Sequence, residues 1–143
     1  MTVQSILDGK DGGVISVSPE ESVTALVKVL SDARVGAAIV TDDSGRLVGI
    51  ASERDVVRML GKHGLSAMTM RVSDVMTAKV KTCEPADTID TLMARMTEGR
   101  FRHMPVLSDG RVVGVVSIGD VVKRRLNDLE FEAEQLKQYI TAG

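Results

Sequence analysis

The sequence predicts an α/β (α+β) fold of two pseudo-symmetric β-α-β-β-α repeats packed sheet to sheet, followed by a C-terminal helical extension. Three observations carry that prediction. The second half repeats the first in register, each half alternates strand-like and helix-like periodicity, and a heptad-like stripe runs on past the second copy.

The duplication is read from landmarks. Gly45–Val57, GRLVGIASERDVV, matches Gly110–Val122, GRVVGVVSIGDVV, at Gly, Arg, Val, Gly, Ser, Asp, Val and Val, eight of thirteen positions. Upstream, Val14–Pro19 (VISVSP) answers Val80–Pro85 (VKTCEP). Between them Val23, Leu26, Val27 and Leu30 answer Ile89, Leu92, Met93 and Met96 with the i, i+3, i+4, i+7 spacing of one helix face. The offset is 66 residues and falls to 65 after Ser44, the single insertion.

Each repeat then parses in order. A strand (Val14–Val17; Val80–Cys83) leads through proline to an amphipathic helix (Glu20–Ala33; Ala86–Gly99). A second strand (Val35–Val40; His103–Leu107) turns at Asp42–Gly45 or Ser108–Gly110, with the residues hairpins favour, into a third (Leu47–Ala51; Val112–Val116). A last helix begins at Ser52 or Ser117. Neither half is large enough to bury both helix stripes and a sheet face alone, so the halves should pack on each other. The chain divides into residues 1–62 (repeat one with the N-terminal segment), 63–73 (linker), 74–126 (repeat two) and 127–143 (helical tail). In the tail Val122, Leu126, Leu129, Ala133, Leu136 and Ile140 are spaced 4, 3, 4, 3, 4. That stripe either lies on its own domain or packs against a second subunit.

Composition narrows the function. Aromatics are 2%, with no Trp, and net charge is −2, which argues against nucleic-acid binding by base stacking or by a basic footprint. The single cysteine, Cys83, allows no internal disulfide and falls in a predicted buried strand, where a thiol acts as a small apolar group. No basic-then-apolar leader opens the sequence, and apolar runs such as Val112–Val116 fall far short of the roughly 20 residues a membrane span needs. No membrane insertion and a cytoplasmic location are expected. His63 and His103 lack partners at metal-ligand spacing, and no nucleophile-elbow or phosphate-loop pattern occurs, so no enzyme is expected.

The chemistry concentrates where a strand passes into a helix. Ser52 and Asp55, and again Ser117 and Asp120, stand at a helix start whose free N–H groups attract anions. A carboxylate can accept both hydroxyls of a ribose diol, and a serine hydroxyl can serve sugar or phosphate. The same Ser-x-x-Asp spacing also suits a capping box with no ligand at all.

Those segments, GIASERDVV at 49–57 and GVVSIGDVV at 114–122, together with RHMPV at 102–106 and DVMT at 74–77, resemble the CBS (cystathionine-β-synthase) domain family over residues 1–126. The resemblance implies a tandem CBS pair that catalyses nothing. It would bind an adenosine nucleotide (AMP, ADP, ATP, NAD or S-adenosylmethionine), form a homodimer and regulate a partner protein in trans. It also implies shared clefts. One would join Ser52, Arg54 and Asp55 to Lys79, Val80, Arg102, His103, Met104 and Pro105. The other would join Ser117 and Asp120 to Gly13, Val14, Val35, Gly36 and Ala37. Arg102 and His103 would meet phosphate, and repeat one has Gly36 and Ala37 at the matching positions, so the clefts should be unequal. The competing reading is a ligand-free interaction and dimerisation scaffold in which Ser-x-x-Asp only caps helices.

Overall fold

The structure, a computed structural model, describes residues 1–10 and 13–142. Its elements run α1 (Val3–Asp8), β1 (Ser16–Val17), α2 (Val23–Ala33), β2 (Ala37–Thr41), β3 (Leu47–Ser52), α3 (Glu53–His63), a 3₁₀ turn (Gly64–Thr69), α4 (Val72–Val75), α5 (Ile89–Gly99), β4 (His103–Ser108), β5 (Arg111–Ser117) and α6 (Ile118–Ala142).

Local chemistry sets the boundaries. Ser22 accepts from the Ala25 N–H at 3.1 Å and Thr88 from the Thr91 N–H at 3.1 Å, so α2 and α5 start at these caps, where the apolar stripe begins and three residues later than the expected Glu20 and Ala86. Both helices stop at an arginine in the left-handed region, Arg34 at φ 56° and Arg100 at φ 57°. In lobe one β1 runs parallel to β2, and β2 antiparallel to β3. In lobe two β4 and β5 form the hairpin alone. The predicted strand Val80–Cys83 reduces to one bridge from Cys83 to Val106, held by the Cys83 N–H on Pro105 O at 3.0 Å and the Leu107 N–H on Cys83 O at 2.8 Å. Val80 is turned to line a cavity instead.

Two apolar cores result, and each borrows a helix from the sequence leading into the other repeat. Val3 and Ile6 of α1 are buried with Cys83, Ile89, Leu92, Met96, Met104, Val106, Val116 and Val121 of lobe two. Val72 and Val75 of α4 are buried with Val17, Val23, Leu26, Leu30, Ala38, Val40, Ala51 and Val56 of lobe one. The backbone bonds match as closely. Val3 N–H reaches Asp87 O and Gln4 N–H reaches Pro85 O, both at 2.9 Å; Val72 N–H reaches Glu21 O at 2.8 Å and Ser73 N–H reaches Pro19 O at 3.0 Å. Met93, expected in the α5 stripe, is 37% exposed.

The exchange explains the glycine that precedes each Ser-x-x-Asp. A methyl group at Gly49 would stand 2.6 Å from Met76 Sδ and 2.9 Å from Thr77 O, just beyond α4. One at Gly114 would stand 2.5 Å from Leu7 Cδ2, in α1. At Gly49 a backbone carbonyl leaves no room for a side chain, whereas at Gly114 the crowding comes from the end of a flexible leucine.

Candidate functional site

Ser52 and Asp55 form a closed capping box at the start of α3. The Asp55 N–H donates to Ser52 Oγ at 3.3 Å, and Asp55 Oδ2 accepts from the Ser52 N–H at 2.9 Å and its hydroxyl at 3.0 Å. Asp55 Oδ1 accepts from Arg58 Nη2 at 2.9 Å. The carboxylate is buried, while the Arg58 side chain is 57% exposed. A diol could therefore take over Oδ1 by displacing a solvated guanidinium while the cap stays intact.

This box borders a cavity of about 640 Å³ where the lobes meet, a volume suited to a small organic ligand. Seven of the nine residues expected in the first cleft line it: Ser52, Arg54, Asp55, Lys79, Val80, Arg102 and His103. Arg58, Lys81 and Arg100 line it too, giving six basic side chains against the two acids Glu53 and Asp55. The wall is electropositive and the helix start adds its own partial charge, so an anion is favoured here.

Other expectations fall elsewhere. Met104 is fully buried in the core of lobe two, because strand alternation turns it away from the face His103 presents. Pro105 is buried beside it and does not line the cavity. The second set is not gathered into either cavity. Ser117 and Gly36 line the first one, and Val35 borders a shallower groove of about 520 Å³ with Val27, Leu30 and Arg34. Ala37 is buried, Gly13 is exposed and Val14 is half-buried.

Asp120 repeats the box, its Oδ2 accepting from the Ser117 N–H at 2.8 Å while its own N–H donates to Ser117 Oγ at 3.1 Å. Here the partner is different. Lys10 Nζ donates to Asp120 Oδ2 at 2.8 Å and to Val115 O at 2.8 Å. Burial pushes the Asp120 carboxyl up, but the bonds from Lys10 and from Ser117 outweigh it and hold the group below its ordinary value. A lysine of this same chain is therefore bonded to the acid of the second box. Nothing in the local sequence pairs residues 110 positions apart, so Lys10 was missed. Arg58, one helical turn after Asp55, and Lys81, two residues after Lys79 in an extended segment, were legible and overlooked.

The family profile of the CBS domain matches residues 12–62 and 72–127. The chain belongs to the CBS domain family. The CBS domain-containing protein CBSX3, mitochondrial, of Arabidopsis thaliana is 33% identical over 99% of this chain and 73% of its own length. The crystal structure of the CBS-domain containing protein ATU1752 from Agrobacterium tumefaciens superposes with a TM-score of 0.84 at 42% identity, over 87% of this chain and 92% of that one. Two structures at 22% identity share the fold. They are the CBS domain pair of protein MJ0100 (TM-score 0.80; 90% and 98% covered) and PAE2072 from Pyrobaculum aerophilum (TM-score 0.75; 84% and 89% covered).

Between the CBS lobes sits His103. A methyl group at Gly36 would lie 3.2 Å from its Nε2, so repeat two's first hairpin strand abuts the residue just before repeat one's. Burial lowers the imidazole from its ordinary value against the pull of Asp120 and Glu53, with Lys10 and Arg102 acting in the same sense as burial. At neutral pH the ring is uncharged and offers a neutral donor or acceptor, so the positive charge of the CBS cleft comes from its arginines and lysines. Among the described residues no cluster suited to a metal ion occurs, and no helix is long and apolar enough to cross a membrane.

Proposed function

We propose that this CBS pair is a sensor that binds one adenosine nucleotide per chain in the cleft beside Ser52 and Asp55 and carries the signal to a partner protein in trans. One observation carries the reading: a buried, capped carboxylate with an exchangeable arginine opens onto a cavity bearing six basic side chains. The carboxylate suits a ribose diol, and Arg54, Lys79, Lys81, Arg100 and Arg102 suit phosphate. Two proteins of this fold are described as complexes with AMP, and with 5-methylthioadenosine and S-adenosylmethionine, which supports an adenosine ligand. The module performs no chemistry of its own. It works as a homodimer in the cytoplasm.

The scaffold reading draws on a specific fact: without ligand, Asp55 already makes three hydrogen bonds and caps its helix. Calorimetry separates the two. AMP and uncharged adenosine are titrated against wild type and against Arg102→Gly/His103→Ala. The sensor binds both ligands as wild type, AMP more tightly, and the double variant loses affinity for AMP while keeping that for adenosine. Preference for AMP narrows in salt, because exposed charges are screened beyond a Debye length of about 8 Å. If neither ligand binds wild type, the scaffold stands; equal losses for both would mean that the pair shapes the strand and does not meet phosphate.

A further inference from the structure

The last helix leaves its lobe with an apolar seam uncovered. Val121 is buried in lobe two, and Arg124 and Asp128 are half-buried on the same side. From Leu129 to Thr141 every residue is exposed. The stripe Val122, Leu126, Leu129, Ala133, Leu136, Ile140 lies roughly 125° round the helix from that lobe-facing side, at 100° per residue, and is 49% exposed at Val122 and 68% at Ile140. An isolated helix of this length is marginal in water, and an apolar stripe repeating every 3.5 residues is the seam of a two-helix supercoil.

The flanking charges say what covers it. With Leu126, Ala133 and Ile140 at the a positions and Val122, Leu129 and Leu136 at d, the g positions hold Arg125 and Glu132 and the e positions Lys123, Glu130 and Lys137. In a parallel pair each g residue faces the e residue five places on in the other helix. Arg125 then meets Glu130, and Glu132 meets Lys137, twice over by symmetry. In an antiparallel pair with the seam fully overlapped, Glu130 meets Glu130, Glu132 meets Glu132 and Lys123 meets Lys137. Every pair of flanking charges attracts in the first arrangement and repels in the second, where Arg125 meets only the uncharged Tyr139.

We infer that the occupant of the α6 seam is the α6 of a second copy of this chain, in a parallel two-stranded coil that holds the C-terminal ends of the two chains side by side. The inference rests on the homodimer proposed above and adds its geometry. Arg125 also reaches Asp90 of its own α5, an exposed ion pair that the new contact can share or replace at little cost.

Oxidative cross-linking and sedimentation test it together. In a parallel coil two copies of Ile140→Cys lie opposite each other and form a disulfide-linked dimer under mild oxidation. Wild type, whose one cysteine is buried, stays uncross-linked. Glu132→Lys turns two attractive pairs repulsive and should weaken the dimer about tenfold, and Glu132→Lys/Lys137→Glu should restore it. In an antiparallel coil the double variant still sets two lysines at position 132 face to face. Cross-linking of Val122→Cys/Ile140→Cys but not of Ile140→Cys alone overturns the parallel arrangement. A dimer that survives truncation after Asn127 with unchanged affinity overturns the coil and leaves the homodimer standing. A wild-type monomer at micromolar concentration removes both.

Discussion

At the scale of single residues the clefts differ by what answers their acid. Asp55 is paired with a solvated arginine one turn along its own helix, and Asp120 with a lysine from the segment ahead of repeat one. The Lys10 side chain is 37% exposed, so the ion pair itself contributes at most about 1 kcal/mol. Lys10→Ala should therefore fold normally and uncover the second box. Calorimetry with adenosine is expected to rise from one site per chain toward two, and a stoichiometry that stays at one would mean that Lys10 blocks nothing. His103 supplies a pH effect whose sign is fixed. Its folded value is lowered below the ordinary 6.5, so on acidification the unfolded chain takes up a proton that the native state refuses. Stability should fall as pH drops through 6.5, and His103→Gln should flatten that slope in urea titrations at successive pH values. An unchanged slope would place the effect elsewhere. Ser52 and Asp55 were legible because a duplicated motif marked them, and Arg102 and His103 because RHMPV at 102–106 resembles the family's strand. The neutrality of the imidazole was not, since it follows from burial against a strand 67 positions away.

At the scale of elements the sequence reading succeeded where periodicity is strong and failed where a contact is single. The hairpins and the last helix of each repeat lie within a residue or two of the expected bounds. The first strand of repeat two does not form a ladder and is reduced to the single bridge of Cys83 with Val106. The same burial pushes the Cys83 thiol up to about 11, in keeping with the small apolar role its strand position suggested. The crossing helices carried a signal that went unused: MTVQSI at 1–6 and MRVSDV at 70–75 share Met and Val, and their third and sixth residues, Val3 and Ile6 or Val72 and Val75, are the ones that dock. The glycines beneath them are the place to probe the exchange. Gly49→Ala forces carbon against both a sulfur and a backbone carbonyl and should destabilise the fold by about 1–3 kcal/mol. Gly114→Ala meets only the end of a flexible leucine and should cost less. Denaturant midpoints of the two variants measure the difference, and equal losses would mean that the crossing segments yield equally.

For the molecule as a whole, duplication told the fold class and the number of lobes but not which pieces of chain complete each lobe. Pattern reading assigns a segment to its neighbours in sequence, and here the apolar face of α1 is buried with residues at least 77 positions further on. Composition likewise gave the net charge of −2 but not its distribution: six basic side chains gather around one cavity, and acids are spread over the remaining surface and the tail. The exchange of leading helices also has a consequence in time. A ribosome delivers α1 before any part of the lobe it closes, and lobe one waits for α4, after its own last helix is complete, before its core is covered. Neither half can finish folding as its own residues emerge, as separate domains commonly do. α1 is held in reserve until Val116 and Val121 have been added, 46 residues after Val75 allows lobe one to close. Lobe one closes first, and lobe two closes last around the helix made before either.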